Sequence, residues 1–132
     1  MWRTEDGVTV RDFYIMLFGD FEPSKFTMYL GDHISFDRAA DMPLERRLAA
    51  YMSYVYITEV QNETDEPSIE PAFILKDIYE CSSCIRYIAQ VYLKGIMLAP
   101  DGLFGVRRLM DKEEAEKTVQ RVKDRSKRFM SL

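Results

Sequence analysis

Two cysteines three positions apart, in Cys81-Ser82-Ser83-Cys84, are the residues whose type and spacing speak most directly of chemistry. Thiols at that interval can bind a metal ion or cycle between dithiol and disulfide. A structural zinc ion takes about four ligands. The chain has one histidine, His33, and no second cysteine pair, so a complete site would have to recruit carboxylates. No βαβ pattern of the thioredoxin kind surrounds the motif. The expectation is therefore two small apolar residues near the start of a buried helix.

Other catalytic sets fare no better. His33 is expected as a surface or capping residue, because a histidine-dependent nucleophile or proton shuttle needs a Ser, Cys or carboxylate beside it that the sequence does not place. Acid pairs such as Glu113 with Glu114, or Asp37 with Asp41, are unavoidable among 22 acidic residues and carry no signal. The six glycines are dispersed, which excludes a P-loop and a dinucleotide fingerprint. The chain is expected to be no enzyme and to need no cofactor or metal.

Binding is the remaining class. Formal net charge is -4, from 18 Lys+Arg against 22 Asp+Glu, so the surface as a whole repels polyphosphate and nucleic acid is excluded as the expected partner. Positive charge gathers between Arg107 and Arg128, a stretch read as a solvated basic helix with some reach toward an anionic polymer. Tyr51, Tyr54 and Tyr56 suggest a carbohydrate platform, although tyrosines at such spacing more often pack half-buried along a helix. Eight Met and eight Tyr also suit an adaptable protein-binding surface and admit a homo-oligomer. No apolar run approaches the roughly 20 residues of a membrane span, so no membrane insertion is expected. Residues 1–6 lack the basic-then-apolar order of a signal peptide, which fits either a cytoplasmic chain or a piece of a longer exported one.

The elements that would position such a surface are mostly helical. With 47% hydrophobic and 13% aromatic residues the chain can bury one core across residues 1–132. Thr9 reads as an N-cap with Asp12 three residues on, opening a helix whose face is Phe13, Met16 and Leu17 and whose stop is Gly19. Residues 20–40 read as loop with at most one helical turn, carrying the apolar positions Phe26, Met28, Tyr29, Leu30, Ile34 and Phe36. Pro43 fits the first turn of a helix over residues 44–58, with Leu44, Leu48, Tyr51, Met52 and Val55 inward. Residues 61–67 read as a solvated acidic connection, and Ser68 as the cap of a short helix with Pro71 early and Ala72 to Leu75 behind it. Residues 77–97 carry Ile85, Ile88, Val91 and Tyr92 at helical spacing up to a glycine stop at Gly95. A turn at Pro100-Asp101-Gly102 leads through a short extended passage to a capping box, Asp111 at the cap and Glu114 three residues later, which starts a last helix with Ala115, Val119 and Val122 inward.

That last stretch resembles one S-layer homology repeat. Asp77-Ile78 stands at the family's Asp-Val start, Ile88 and Val91 mark its first helix, Gly95-Ile96 ends it, Asp101-Gly102-Leu103-Phe104 makes its turn, and Met110 to Ala115 opens its second helix. The resemblance covers about residues 77–122. Weaker echoes divide the rest into a partial first repeat and loop (1–40), a degenerate middle repeat (41–76) and a basic tail (123–132). It implies a mostly α fold of helical hairpins packed around one core, with short extended segments in the loops. It also implies a non-catalytic module that attaches an exported parent chain to the cell envelope by binding an anionic secondary cell-wall polysaccharide. The family's Thr-Arg-x-Glu motif falls on Asp111, Lys112, Glu113 and Glu114, and its upstream echo on Thr9, Val10, Arg11 and Asp12. The implied ligand residues are Lys112, Glu114, Arg11 and Asp12, with the nearby Arg107. Lys112 keeps the charge of the family's arginine but not its bidentate fork. Asp111 brings a negative charge where the family has threonine, and Ser83 stands where an aromatic would stack. The alternative is a protein–protein interaction module, cytoplasmic and without a glycan site, that keeps the same helices.

Overall fold

Helix starts organise this molecule. In a computed structural model that describes residues 7–19 and 39–130, three helices begin from one small patch of extended backbone. Isolated antiparallel bridges join Gly7 to Asp111, Thr9 to Pro43, and Glu45 to Leu109. Each bridged segment runs straight into a helix: α1 (Val10–Phe18), α2 (Arg46–Val55) and α4 (Lys112–Lys123). A further α-helix, α3, spans Ile85–Leu93. The described chain is mostly helical, with short extended segments and no strand longer than these bridges. His33, Asp37 and the apolar positions expected between residues 20 and 38 lie outside the described residues.

Each helix solves its unpaired first-turn N–H groups differently. At α1, Thr9 Oγ1 accepts from Asp12 N–H at 3.1 Å and Asp12 Oδ2 accepts from Thr9 N–H at 3.0 Å. This is the reciprocal capping box that the spacing predicts. Gly19, at φ 88°, closes the helix. At α4, Asp111 Oδ1 accepts from Glu114 N–H at 2.8 Å. At α2 no side chain caps; the N–H groups of Arg46 and Arg47 donate to the carbonyls of Arg108 (2.9 Å) and Val106 (3.0 Å).

That substitution explains why α2 is shorter than the expected 44–58. Leu44 donates its N–H to Val8 and accepts from Met110 through its carbonyl, and Pro43 pairs with Thr9, so both are extended and outside the helix. At the other end Thr58 Oγ1 donates to the carbonyls of Tyr54 and Val55 while the backbone widens into a π turn, Tyr56–Val60. Side-chain back-bonding of this kind competes with the regular ladder. The expected helix over 77–97 likewise breaks into two 3-10 turns, Ile78–Glu80 and Ser82–Cys84, before α3, because Cys81 is extended (φ -134°, ψ 95°).

One buried cluster runs through α1, α2, α3 and α4. It holds Phe13, Tyr14 and Leu17 of α1, Met52 of α2, Ile88 and Val91 of α3 and Val122 of α4, joined by Leu44, Ile57, Leu75, Ile78 and Phe104 from the connections. Helix α2 is its axis: it packs most extensively on α3 and also meets α1 and α4, whereas α3 and α4 scarcely touch directly. Ile88, Val91 and Val119 share this interior, with Val119 at its edge.

Polar residues enforce the arrangement. Asp77 Oδ1 accepts from Phe104 N–H (2.8 Å) and Oδ2 from Gly105 (2.8 Å) and Val106 (3.3 Å), fastening the 104–106 loop to the start of the α3 segment. The 61–67 connection departs from the solvated loop expected of it. Glu63, with 5% of its side chain exposed, makes a bidentate pair with Arg128 at 2.9 and 2.7 Å. Lys94 Nζ donates to Thr64 O (2.7 Å) and Glu66 (3.1 Å), and buried Gln90 exchanges two hydrogen bonds with the Glu66 backbone. Acidic side chains in this loop sit against cations of α3 and the tail, which gives them partners that sequence order hides. The basic stretch is correspondingly less solvated than its composition suggests: Arg121 is buried and donates to Met130 O (2.9 Å) and Ile96 O (3.3 Å).

Candidate functional site

Where the bridged patch meets the first turns of α2 and α4, a recess of about 330 Å³ opens. Four basic side chains, Arg46, Arg108, Lys117 and Arg121, and three acidic ones, Asp111, Glu113 and Glu114, line it together with Leu98, Pro100 and Thr118.

Arg46 forms its floor. As the first residue of α2 it shares a helical face with Ala49, Ala50 and Ser53, which are all buried, so its side chain is carried inward and is itself 3% exposed. Its Nε donates to Phe104 O (2.6 Å) and its Nη2 to Leu98 O (2.9 Å), Nη1 pairs with Glu114, and the guanidinium lies over the Phe104 ring at 4.9 Å. Burial, and then the positive charges of Arg108 and Arg121, bring its pKa down to about 10, so it remains charged at neutral pH. Gly105, at φ 78°, lets the loop pass this close: a Cβ there would stand 3.3 Å from both Arg46 and Arg108 side-chain carbons. Burial also lowers the pKa of Arg121.

The rim is built differently. Arg108 has 62% of its side chain exposed and meets Glu114 only at 3.6 Å. Lys117 pairs with Glu113 one helical turn away at 3.2 Å, and Thr118 spends its hydroxyl on the Glu114 carbonyl at 2.9 Å. The recess thus combines a buried, hydrogen-bonded cation with a largely exposed one, bridged by a single shared carboxylate. Such a pair can take a carboxylate or other oxyanion in charge-assisted contact, with Glu114 as the group it must compete with.

Of the five residues expected to bind ligand, Glu114 alone lines this recess. Lys112 and Arg107 are exposed outside it. Arg11 and Asp12 lie on α1, the first donating to Asp41 at 3.1 Å and the second closing the capping box, and neither reaches the recess. The tyrosines behave as helix packing: Tyr51 stacks near Tyr87 (4.8 Å), Tyr54 donates to Asp65 (2.8 Å), and the Tyr56 ring sits against Phe18 (5.2 Å). Arg46 carries the one signal that was available beforehand, a cation in register with a stripe of small residues. Arg108 carries none.

A second concavity, about 460 Å³, is apolar and lined by Pro71, Ile74, Tyr92, Leu93 and Phe129 among others. The cysteines are joined as a Cys81–Cys84 disulfide, in place of the free apolar pair expected. Among the described residues no His, Cys, Asp and Glu side chains converge as a metal site would require, and no helix is long and apolar enough to cross a membrane. No family model, no curated protein and no solved structure matches the chain.

Proposed function

We propose that this chain is a non-catalytic attachment module of the S-layer homology type, taking an anionic cell-wall polysaccharide into the recess between α2 and α4 and so holding an exported parent chain at the cell envelope. The observation that carries the reading is Arg108, a largely exposed guanidinium at the lip of a recess whose floor is a second, immobile guanidinium. A ketal-linked pyruvate carboxylate supplies the planar anion that two such groups recognise. Glu114, which pairs with both guanidinium groups, gives way as Arg108 turns to the sugar acid. The cation positions that the resemblance implies, Lys112 and Arg11, then serve as outer contacts at most.

Retention on purified pyruvylated cell wall tests this. Binding that weakens steeply with salt and disappears on wall stripped of pyruvate is expected. Equal retention on stripped wall would remove the proposal. In that event the second reading, a protein-interaction module without a glycan site, is favoured by the apolar concavity, where Ile74 and Phe129 are each 69% exposed.

A further inference from the structure

We infer that the Cys81–Cys84 disulfide is a thiol–disulfide exchange site for a dithiol partner, with Cys81 the sulfur that is attacked. The inference is independent of the glycan reading and concerns a different group of residues.

Several features set this bridge apart from a structural staple. It closes a ring across only Ser82 and Ser83, and loop-closure stabilisation is smallest for such short loops. The same turn is already held by Cys84 N–H donating to Cys81 O at 2.9 Å, so opening the sulfur bridge leaves both thiols in place. Ser82 and Ser83 are exposed, while both cysteines border the core, Cys81 (8% exposed) less deeply than Cys84 (3%).

The surroundings favour a thiolate at Cys81. Arg47 Nη1 lies 3.8 Å from its Sγ and Ser83 Oγ 3.6 Å away, so a guanidinium edge and a hydroxyl donor both face that sulfur. Glu45 binds the other edge of the same guanidinium at Nε (2.6 Å), which fixes the group without covering Nη1. Burial keeps the Tyr87 phenol, one turn along α3 from Cys84, neutral. Glu80, next to Cys81 in sequence, is exposed to solvent. Cys84 stands at the N-terminal end of α3, where the helix dipole favours negative charge on a leaving sulfur.

Exchange then balances simply. A thiolate of the partner attacks Cys81 Sγ, forming the mixed disulfide as the Cys81–Cys84 bond breaks and its electron pair leaves on Cys84. The partner's second thiolate attacks its own sulfur in the mixed disulfide and releases Cys81 as a thiolate beside Arg47. The partner loses two electrons and two protons in all, and the pair at 81 and 84 gains them.

The test equilibrates the full, folded chain with graded ratios of reduced and oxidised glutathione, counts free thiols by maleimide mass shift, and follows the fold by circular dichroism. Reversible reduction with the helical signal retained is expected. Arg47→Met should move the equilibrium about tenfold toward the disulfide, equivalent to about 30 mV for this two-electron couple. It should also raise the pH at which the reduced protein's thiolate absorbance appears, and Arg47→Lys should recover most of both changes. Ser83→Ala, at an exposed position outside the core, gives a smaller shift in the same direction even if the Arg47 variants do not fold. A bridge that opens only when the protein unfolds, or an equilibrium that neither Arg47→Met nor Ser83→Ala shifts, would overturn the inference.

Discussion

Replacing Asp77 by asparagine isolates the interaction that holds the 104–106 loop, and with it the floor of the recess. In the native chain one carboxylate accepts three backbone N–H groups, those of Phe104, Gly105 and Val106, of which Phe104 and Val106 are buried. Asparagine can still present one oxygen to Phe104, but its amide NH2 then faces the other two donors, leaving them unpaired. Hydrogen bonds to a charged group are worth about 1.5–3 kcal/mol each, and a stranded buried donor costs about 1–3 kcal/mol. With Gly105 only half-buried and the loop free to relax, the net loss should be about 2–4 kcal/mol, a large part of the stability of a domain this size. The pH dependence follows the same logic. Burial alone would raise the Asp77 pKa, yet the three N–H contacts outweigh it and hold it below the ordinary carboxylate value. A group whose folded pKa is depressed stabilises fully above its unfolded pKa, about 3.9, and that stability is lost as pH falls through the lower folded value. Urea unfolding followed by circular dichroism at neutral pH and at several acid pH values reads both effects. Asp77→Asn should lower the midpoint at neutral pH and flatten the acid limb. A loss under about 0.5 kcal/mol, the scale of ordinary surface substitutions, with an unchanged acid limb would refute the reasoning.

Two further outcomes follow from other contacts. Glu63→Gln should cost about 2–3 kcal/mol in urea unfolding at neutral pH, because it leaves the Arg128 guanidinium, 7% exposed, without its carboxylate. The hydrogen bond from Arg128 lowers the Glu63 pKa. Its contribution is therefore present above about pH 4.3 and is lost as pH falls further, so wild type and variant should converge in acid. Gly95→Ala should cost about 1–3 kcal/mol in thermal unfolding, since Gly95 has φ 73° and an added Cβ would stand 2.5 Å from the Phe129 ring. In a Phe129→Ala background the ring clash is gone, and only the backbone part of that cost should remain.

What the sequence announced was local. Thr9 with Asp12, Asp111 as a cap, and the glycines at 19, 95 and 102 act over three or four residues as the pattern predicts, whereas Glu114 does not close the expected capping box with Asp111 and pairs with Arg46 instead. What it hid was long-range. Whether α2 begins at residue 44 or 46 depends on Val8 and Met110, and whether 61–67 is solvated depends on Arg128 and Lys94. The recess is the extreme case, because Arg46 and Arg108 converge on Glu114 across more than sixty positions, and nothing in their spacing marks them as neighbours. Asp77 stood out in the sequence only as the start of a helical segment, while its role as acceptor for three N–H groups became visible only with the 104–106 loop in place.

Arg107 and Arg108 provide the sharpest control on the central claim, since they are adjacent, both exposed and equal in charge, but only Arg108 lines the recess. Titration calorimetry of a pyruvylated wall-polysaccharide fragment against Arg108→Gln and Arg107→Gln separates a built site from general electrostatic attraction. The account predicts a loss of about tenfold or more in affinity for Arg108→Gln, in line with a charge-assisted contact, and nearly unchanged binding for Arg107→Gln. Equal losses in the two variants, or none in either, would contradict it.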